Sequence, residues 1–143
     1  MSKDAQINEE QLACLIPRFY ERVRGDKLIG PVFDAAIGDW EFHLGKLVDF
    51  WSSVMLTSGR YKGNPVAAHL KHLSAITPLM FDRWLELWAE VTVEVLPPNI
   101  AVTLQEKAGH IAESLKLALY FRLPPRPAIA PLPIPVESRK DEA

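Results

Sequence analysis

The chain has few of the features that mark secreted, membrane-spanning or nucleic-acid-binding proteins. Cys14 is the only cysteine, so no disulfide can form within the chain, and this suits a reducing compartment. No apolar stretch is long enough to span a bilayer, and the N-terminus has no apolar run typical of a signal peptide. The net charge of −2 gives no general attraction to nucleic acid or acidic membranes. We therefore expect a cytoplasmic protein without a nucleic-acid or membrane partner.

Sequence motifs of familiar enzyme classes are also missing. There is no Gly-rich phosphate loop, no Cys-x-x-Cys pair, no His-Glu-x-x-His segment and no internal repeat. No segment is a confident strand, whereas apolar residues recur at spacings of three and four. The 143 residues, of which 48% are hydrophobic and 24% charged, suffice for one domain with a substantial core. These observations predict an all-α domain of about five or six helices with short connections.

Capping residues and prolines divide the chain into these helices. The segment from Asn8 to Gln11 has the pattern of a capping box, and Pro17 predicts a kink or a junction of two helices further on. Asp39, Thr77 and Asn99 are candidate N-caps for later helices. The apolar positions predicted to face the core are Leu12, Leu15, Ile16, Phe19, Val23, Trp40, Leu44, Leu47, Trp51, Val54, Met55, Phe81, Trp84, Trp88, Val91, Val95, Leu104, Ala108, Ile111, Leu115 and Leu119.

The stretch from Tyr61 to His72 carries two histidines between turn signals. Gly63-Asn64-Pro65 predicts a turn followed by a short helix. On a helix, His69 and His72 would share a face because they are three residues apart. A short segment of this kind can present one imidazole to a metal without disturbing a long helix. Taken alone, the stretch favours two ordinary half-exposed histidines, because histidine is common at surfaces and metal sites are rare.

Four polar side chains fall on faces that are predicted to point inward: Tyr20, His43, His69 and Trp84. Each one alone is most simply a side chain at the edge of the core, a phenol with its hydroxyl in water or a packed imidazole. Together they come from separate helices, and one histidine lies on the isolated short helix. This arrangement fits an apolar slot with one metal ligand on one side and hydrogen-bond donors on the other. A flat cofactor such as haem needs a slot of this kind.

Six short motifs stand along the chain: Phe19-Tyr20-Glu21-Arg22-Val23, Gly30-Pro31-Val32-Phe33, Trp40-Glu41-Phe42-His43, Phe50-Trp51, His69-Leu70 and Phe81-Asp82-Arg83-Trp84. In their order and spacing, these motifs resemble a truncated haemoglobin of the third group. The resemblance runs from about Asn8 to Phe121, and the paired-glycine motifs of the other truncated groups do not appear. Pro17 and a proline-rich tail depart from the pattern.

The resemblance implies a globin-like two-on-two helical sandwich that encloses haem b (iron protoporphyrin IX). His69 would be the proximal iron ligand. The haem contacts would be Phe33, which stacks on the porphyrin, together with Leu47, Trp51 and Trp84. The distal hydrogen-bonding cluster, which would also serve any catalysis, would be Tyr20, His43 and Trp84.

Three functions are compatible with these residues. The first is a haem protein that reversibly binds O2 and other diatomic ligands such as NO and CO. The second is a haem enzyme that carries out NO dioxygenation or peroxidase-like turnover of peroxide with an external reductase. The third is a haem-free helical interaction module that acts through its tail. We expect a monomer and favour the gas-binding haem protein.

The composition changes after residue 123, which divides the chain into a globin domain, 1–123, and a tail, 124–143. The tail is rich in proline, has no aromatic residue and ends in a charged segment, so it cannot form a core. We expect an extended and disordered terminus. Its alternating prolines favour polyproline II, so a ligand for a proline-recognising domain is an alternative.

Ending the chain after Arg122 should leave the haem content and the melting temperature nearly unchanged, because the tail cannot bury apolar area. Thermal unfolding of the full-length and shortened proteins checks this prediction. A loss of several degrees would show that the tail docks on the domain.

Overall fold

The structure, a computed structural model, describes residues 6–120, which form six α-helices and one short 3₁₀ turn. The helices are α1 (Glu9–Arg24), α2 (Gly30–Ala36), α3 (Trp40–Leu56), α4 (Pro65–Leu70), α5 (Pro78–Val95) and α6 (Pro98–Tyr120), and the 3₁₀ turn (Leu73–Ala75) lies between α4 and α5. No strand occurs in this part of the chain, which confirms the predicted all-α class. Between residues 6 and 120, no helix combines the length and apolar character needed to cross a membrane. The predicted tail, 124–143, lies outside the described residues.

Side-chain caps begin three of the helices, and two of the caps, Asn8 and Asp39, are at predicted residues. The Asn8 side chain accepts from the Gln11 backbone N–H at 2.8 Å, and the Gln11 side chain accepts from the Asn8 backbone N–H at 2.9 Å. This reciprocal pair is a complete capping box. The Asp39 and Asn64 side chains accept from backbone N–H groups three residues further on and so begin α3 and α4. The N-terminal boundaries of α1, α3 and α4 are therefore set by local sequence.

Three details of the predicted helix ends are corrected by the structure. Helix α1 continues through Pro17 as one helix, so the predicted junction is wrong. Pro17 lies on the exposed face of α1, where a carbonyl that loses its helical donor can face water. Thr77 stands at the N-cap of α5 but its side chain makes no capping hydrogen bond. Helix α6 already begins at Pro98, so Asn99 lies in its first turn and is not its cap.

The core is organised around α1, which packs against both α3 and α5, while α5 packs in turn on α6. Phe19, Trp51 and Trp88 are among the largest side chains with almost no exposure. Only Trp51 of the predicted apolar stripe of α3 is fully buried. The other members are half-buried, namely Trp40, Leu44, Leu47, Val54 and Met55. Helix α3 therefore keeps most of its apolar stripe at the edge of the core.

Ion pairs tie the connecting segments to the main helices. Arg83 on α5 donates at 2.8 Å to Asp26, whose side chain is nearly buried in the α1–α2 connection. Arg60, in the connection before α4, donates through both terminal nitrogens to Glu9 and through Nε to Asp49. These contacts fix the segments that lead into α2 and α4. Both of those short helices contribute residues to the candidate site.

Candidate functional site

The His69 imidazole is held on α4 by a hydrogen bond within its own helix. Its Nδ1 lies 2.7 Å from the Pro65 carbonyl oxygen. Because a carbonyl can only accept, Nδ1 carries a proton, and in the neutral imidazole Nε2 then keeps its lone pair. No group within residues 6–120 forms a hydrogen bond with Nε2. This is the tautomer and anchoring that metal-binding histidines generally have.

His72 lies outside α4, which ends at Leu70, so it does not share a helix face with His69. The spacing-based prediction of a shared face is therefore wrong, because the chain turns into a 3₁₀ segment before a further helical turn forms. The His72 backbone N–H donates to the His69 carbonyl. Across the described residues, no hydrogen bond fixes the His72 ring. Only His69 has an anchored imidazole.

Phe81, a buried residue of α5, lies close to the His69 ring. The two ring centroids are 6.1 Å apart and their planes differ by 27°. Phe81 also meets Tyr120 edge-on at 6.4 Å, and the Tyr120 hydroxyl donates to the Ile76 carbonyl at 2.9 Å. The sequence marked Phe81 only as a core position of α5 and as part of a motif, not as a neighbour of His69. Phe81 and the Pro65 hydrogen bond together restrict the orientation of the imidazole.

Tyr20 on α1 is a buried phenol whose own proton has no acceptor among residues 6–120. The residue is 4% exposed, and its hydroxyl oxygen accepts a hydrogen bond of 3.4 Å from the Trp84 indole N–H. Burial raises the pKa of Tyr20 to about 12, and the Trp84 hydrogen bond opposes that rise. The phenol therefore keeps its proton at neutral pH and can donate it to a ligand.

Aromatic rings from α2 and α3 surround the Tyr20 phenol. Phe33 lies 5.6 Å from it at 61°, and Trp40 lies 6.1 Å from it at 44°. Such tilted and edge-on pairs are favourable arrangements of aromatic rings. Trp40 belongs to the predicted apolar stripe, but its contact with Tyr20 was not predicted from the sequence. The structure thus places the predicted haem contact Phe33 beside the predicted distal phenol.

His43 is half-buried on α3 and contacts Trp40, with ring centroids 5.9 Å apart and nearly perpendicular planes. Burial, together with the nearby Lys46 ammonium, lowers the pKa of His43, which favours the neutral imidazole. Among the described residues, His43 makes no hydrogen bond with Tyr20 or Trp84. The structure therefore joins Tyr20 and Trp84 directly, whereas the third member of the predicted distal cluster, His43, contacts Trp40, which in turn contacts Tyr20.

The two remaining predicted haem contacts lie further along α3. Leu47, one turn after His43, is half-buried. Trp51 is 1% exposed and stacks on Trp88 of α5, with ring centroids 4.6 Å apart and planes within 18°. Leu47 is therefore at the edge of the core, whereas Trp51 is part of the core itself.

An open groove of about 390 Å³ lies beside Tyr20, with a lining drawn from α1, α2 and α3. The Arg24 guanidinium lies 4.6 Å above the Trp40 ring and pairs with Asp34 at 3.2 Å. Contacts of an arginine over an indole face are attractive. Arg24 follows Tyr20 by one helical turn. That spacing is the only feature of the sequence that indicates that Arg24 lies on the same side of α1 as Tyr20. Tyr20 and Trp40 both contribute to the wall of this groove.

Replacing Tyr20 with phenylalanine should make the haem-free protein less sensitive to alkali. The pKa of Tyr20 is about 12 in the folded protein and about 10 when exposed, so its stabilising contribution is present below pH 10. As the pH rises from 10 through 12, this contribution to the free energy of unfolding is lost. Its size is about 2–3 kcal/mol, because each of the two pKa units corresponds to about 1.4 kcal/mol. Urea unfolding of both proteins over this pH range measures the difference. Identical pH dependence in the two proteins would contradict the buried state of the phenol.

The residues present fit a haem group. A porphyrin brings its own nitrogen ligands, so the protein needs to supply one imidazole and an apolar slot. His69 offers an anchored imidazole with a free Nε2 lone pair, and Tyr20 offers a buried donor without an acceptor among residues 6–120. Half-buried apolar side chains of α2, α3 and α5 lie at the edge of the core, among them Phe33, Leu47 and Trp84.

Comparison with known proteins shows the family to which the chain belongs. The chain is 36% identical over 118 residues to group 3 truncated hemoglobin ctb of Campylobacter jejuni, a match that covers 80% of this chain and 92% of that protein. The crystal structure of group III truncated hemoglobin from Campylobacter jejuni matches with a TM-score of 0.73 and 35% identity, over 80% of this chain and 93% of that one. No family model matches the chain.

The helices and the site thus define an all-α globin of the haem-binding type. Within that class, the chain belongs to the group 3 truncated haemoglobins. The resemblance drawn from the six sequence motifs is confirmed, as is the globin-like fold class. The roles of individual residues remain predictions.

Proposed function

We propose that this chain binds haem b with His69 as the proximal iron ligand and that it binds O2, NO or CO on the opposite face of the haem. The observation that carries the proposal is that the chain holds both an anchored imidazole and a buried, protonated phenol. His69 is anchored through Nδ1 on α4, and Tyr20 keeps its proton on α1.

Helix α4 supplies the proximal side of the site. Haem, when bound, supplies a ferrous iron that takes up a diatomic ligand and shifts negative charge onto it. The Pro65 carbonyl accepts a hydrogen bond from the His69 Nδ1–H and so makes Nε2 a stronger donor of its lone pair. Phe81 restricts rotation of the ring. His69 would therefore hold the iron with a tautomer and a ring orientation that the protein has already set.

Tyr20 supplies the main hydrogen bond on the distal side. Its phenol proton is free to point at a ligand because Trp84 donates to the phenol oxygen and not the reverse. A donor bonded to a charged acceptor contributes about 1.5–3 kcal/mol. This energy would slow loss of the ligand by about 10- to 100-fold, since 1.4 kcal/mol is a factor of ten. Trp84 strengthens that bond by polarising the phenol O–H.

The remaining site residues shape the slot and control access to it. Phe33 and Leu47 present apolar surface toward the haem and exclude water, and Trp51 supports α3 from the core side. His43 stands at the outer edge of the cluster as a neutral imidazole beside Trp40. Its role is to influence ligand entry and not to hold the ligand.

The alternative function is a haem enzyme that uses NO dioxygenation or peroxidase-like turnover with an external reductase. The hydrogen-bonded pair of Tyr20 and Trp84 favours it as well, because donors that retain O2 or polarise a peroxide suit redox use better than rapid delivery. Turnover of NO or of peroxide in the presence of a reductant would distinguish this enzyme from a reversible binder.

Exposure of the reduced protein to O2 and then to CO tests the gas-binding proposal. We expect distinct absorption spectra for the two ligands, and a return to the starting ferrous spectrum when the gas is removed. A ferrous spectrum that does not respond to either gas would contradict the proposal.

A further inference from the structure

Three of the chain's four tryptophans stack in one row between α3 and α5. Trp84 and Trp88, one helical turn apart, have ring centroids 5.7 Å apart and planes within 7°. Trp88 stacks in turn on Trp51 at 4.6 Å. The row begins at the candidate ligand site, because Trp84 is hydrogen-bonded to Tyr20. We call Trp84, Trp88 and Trp51 the tryptophan relay.

The row of rings continues from Trp51 toward the surface. Phe50 meets Trp51 edge-on at 5.7 Å and meets Tyr61 edge-on at 5.2 Å. Tyr61 is half-exposed in the connection before α4, and its hydroxyl makes no hydrogen bond within the described part of the chain. The phenol of Tyr61 can therefore release its proton directly to water. Contacting rings thus run from the buried site to a phenol in contact with solvent.

Indoles and phenols lose an electron more easily than most other side chains, and electron transfer slows steeply with distance. A row of contacting indoles therefore offers a faster path than the surrounding aliphatic core. Phe50 is harder to oxidise and serves only as the bridge between Trp51 and Tyr61. The Trp88 indole N–H donates to the Leu104 carbonyl at 3.1 Å. This hydrogen bond keeps the proton on the indole nitrogen while an electron leaves the ring.

We propose that the tryptophan relay carries oxidising equivalents from the haem site to Tyr61 when hydrogen peroxide is reduced there. This inference rests on the proposed haem site. Reduction of one peroxide to two waters takes up two electrons and two protons. Tyr61 supplies one electron through the relay and releases its phenol proton to solvent, which leaves a neutral phenoxyl radical. That radical takes a hydrogen atom from a small phenolic reductant, and a second such turn supplies the second electron.

Tyr61 would then be a surface site at which phenolic reductants are oxidised without entering the pocket. Tyr20 is nearer the haem but is not the end of the path, because it is buried and out of reach of a reductant in solution. A competing route would pass from His69 through Phe81 to Tyr120. Exposed Cys14 is another potential end point. The chain has only three tyrosines and one cysteine, so each end point can be distinguished.

Spin trapping in the full-length, haem-loaded protein tests the relay. Loading is first shown by the Soret band, and the ferric protein is then mixed with hydrogen peroxide and a nitrone spin trap. Mass spectrometry of the peptides locates the adducts. We expect the main adduct on Tyr61. Tyr61→Phe should abolish it, and the matched control Tyr120→Phe should leave it unchanged.

Trp88→Phe should remove most of the Tyr61 adduct by interrupting the relay, and Trp51→Phe serves the same purpose if the first variant does not fold. Two results would overturn the relay and leave the proposed haem site standing. The first is a main adduct on Tyr20, Tyr120 or Cys14. The second is a Tyr61 adduct that is undiminished in a folded relay variant. The absence of a Soret band in the parent protein would overturn the haem site and the relay with it.

Discussion

Replacement of His69 with alanine should remove most of the haem from the purified protein, whereas replacement of His72 should leave the haem content unchanged. The reason is structural, because only His69 is anchored through Nδ1 with Nε2 left free. His72 lies beyond the end of α4, and no hydrogen bond orients its ring among the residues described. The measurement is the ratio of Soret absorbance to protein absorbance in the parent protein and the two variants.

His72→Ala is the matched control, since it removes an imidazole from the same segment without touching the helix. Any haem that His69→Ala retains should have lost the ferrous spectrum of a histidine-ligated iron, and added imidazole should restore that spectrum. Loss of haem in His72→Ala with retention in His69→Ala would reverse the assignment of the ligand.

Replacement of Tyr20 with phenylalanine should raise the O2 dissociation rate by about 10- to 100-fold, since one charge-assisted hydrogen bond contributes about 1.5–3 kcal/mol. Trp84→Phe should raise it less, because the indole N–H reaches the ligand only through the Tyr20 oxygen, at 3.4 Å. Stopped-flow measurement of O2 release from the ferrous proteins gives the rates. His43→Ala is the comparison variant and should change ligand entry more than release.

The double variant Tyr20→Phe/Trp84→Phe tests whether the two donors act as one unit. If Trp84 acts through Tyr20, the double variant should release O2 about as fast as Tyr20→Phe alone. Rates that multiply would instead indicate two independent donors. If neither single change moves the rate by more than about twofold, roughly 0.4 kcal/mol, the distal pair does not hold O2.

Most of the fold could be predicted from local sequence because its helix boundaries are local features. The capping box at Asn8 and the caps at Asp39 and Asn64 all act within four residues of the chain. The predictions that were wrong concern features of the helices that depend on tertiary packing. Helix α1 continues through Pro17 because this residue lies on the outer face of the helix. The sequence analysis did not predict that Pro17 is exposed.

The candidate site was predictable in its members but not in its contacts. Helical spacing placed Tyr20 and Trp84 on inward faces, yet the hydrogen bond between them forms only because α1 packs against α5. The neighbours Phe81 and Trp40 looked like ordinary core positions because periodicity does not show which ring a side chain meets. The relay was hidden for the same reason, since Trp51 and Trp88 come together only when α3 and α5 pack.

Titration of the haem-free protein with haem, followed by the absorption spectrum, tests the proposed haem site most directly. The proposal predicts a Soret band that saturates at one haem per chain and shifts on reduction and again on addition of CO. A spectrum that rises without saturation, as for free haem, would contradict it and would favour a haem-free helical interaction module.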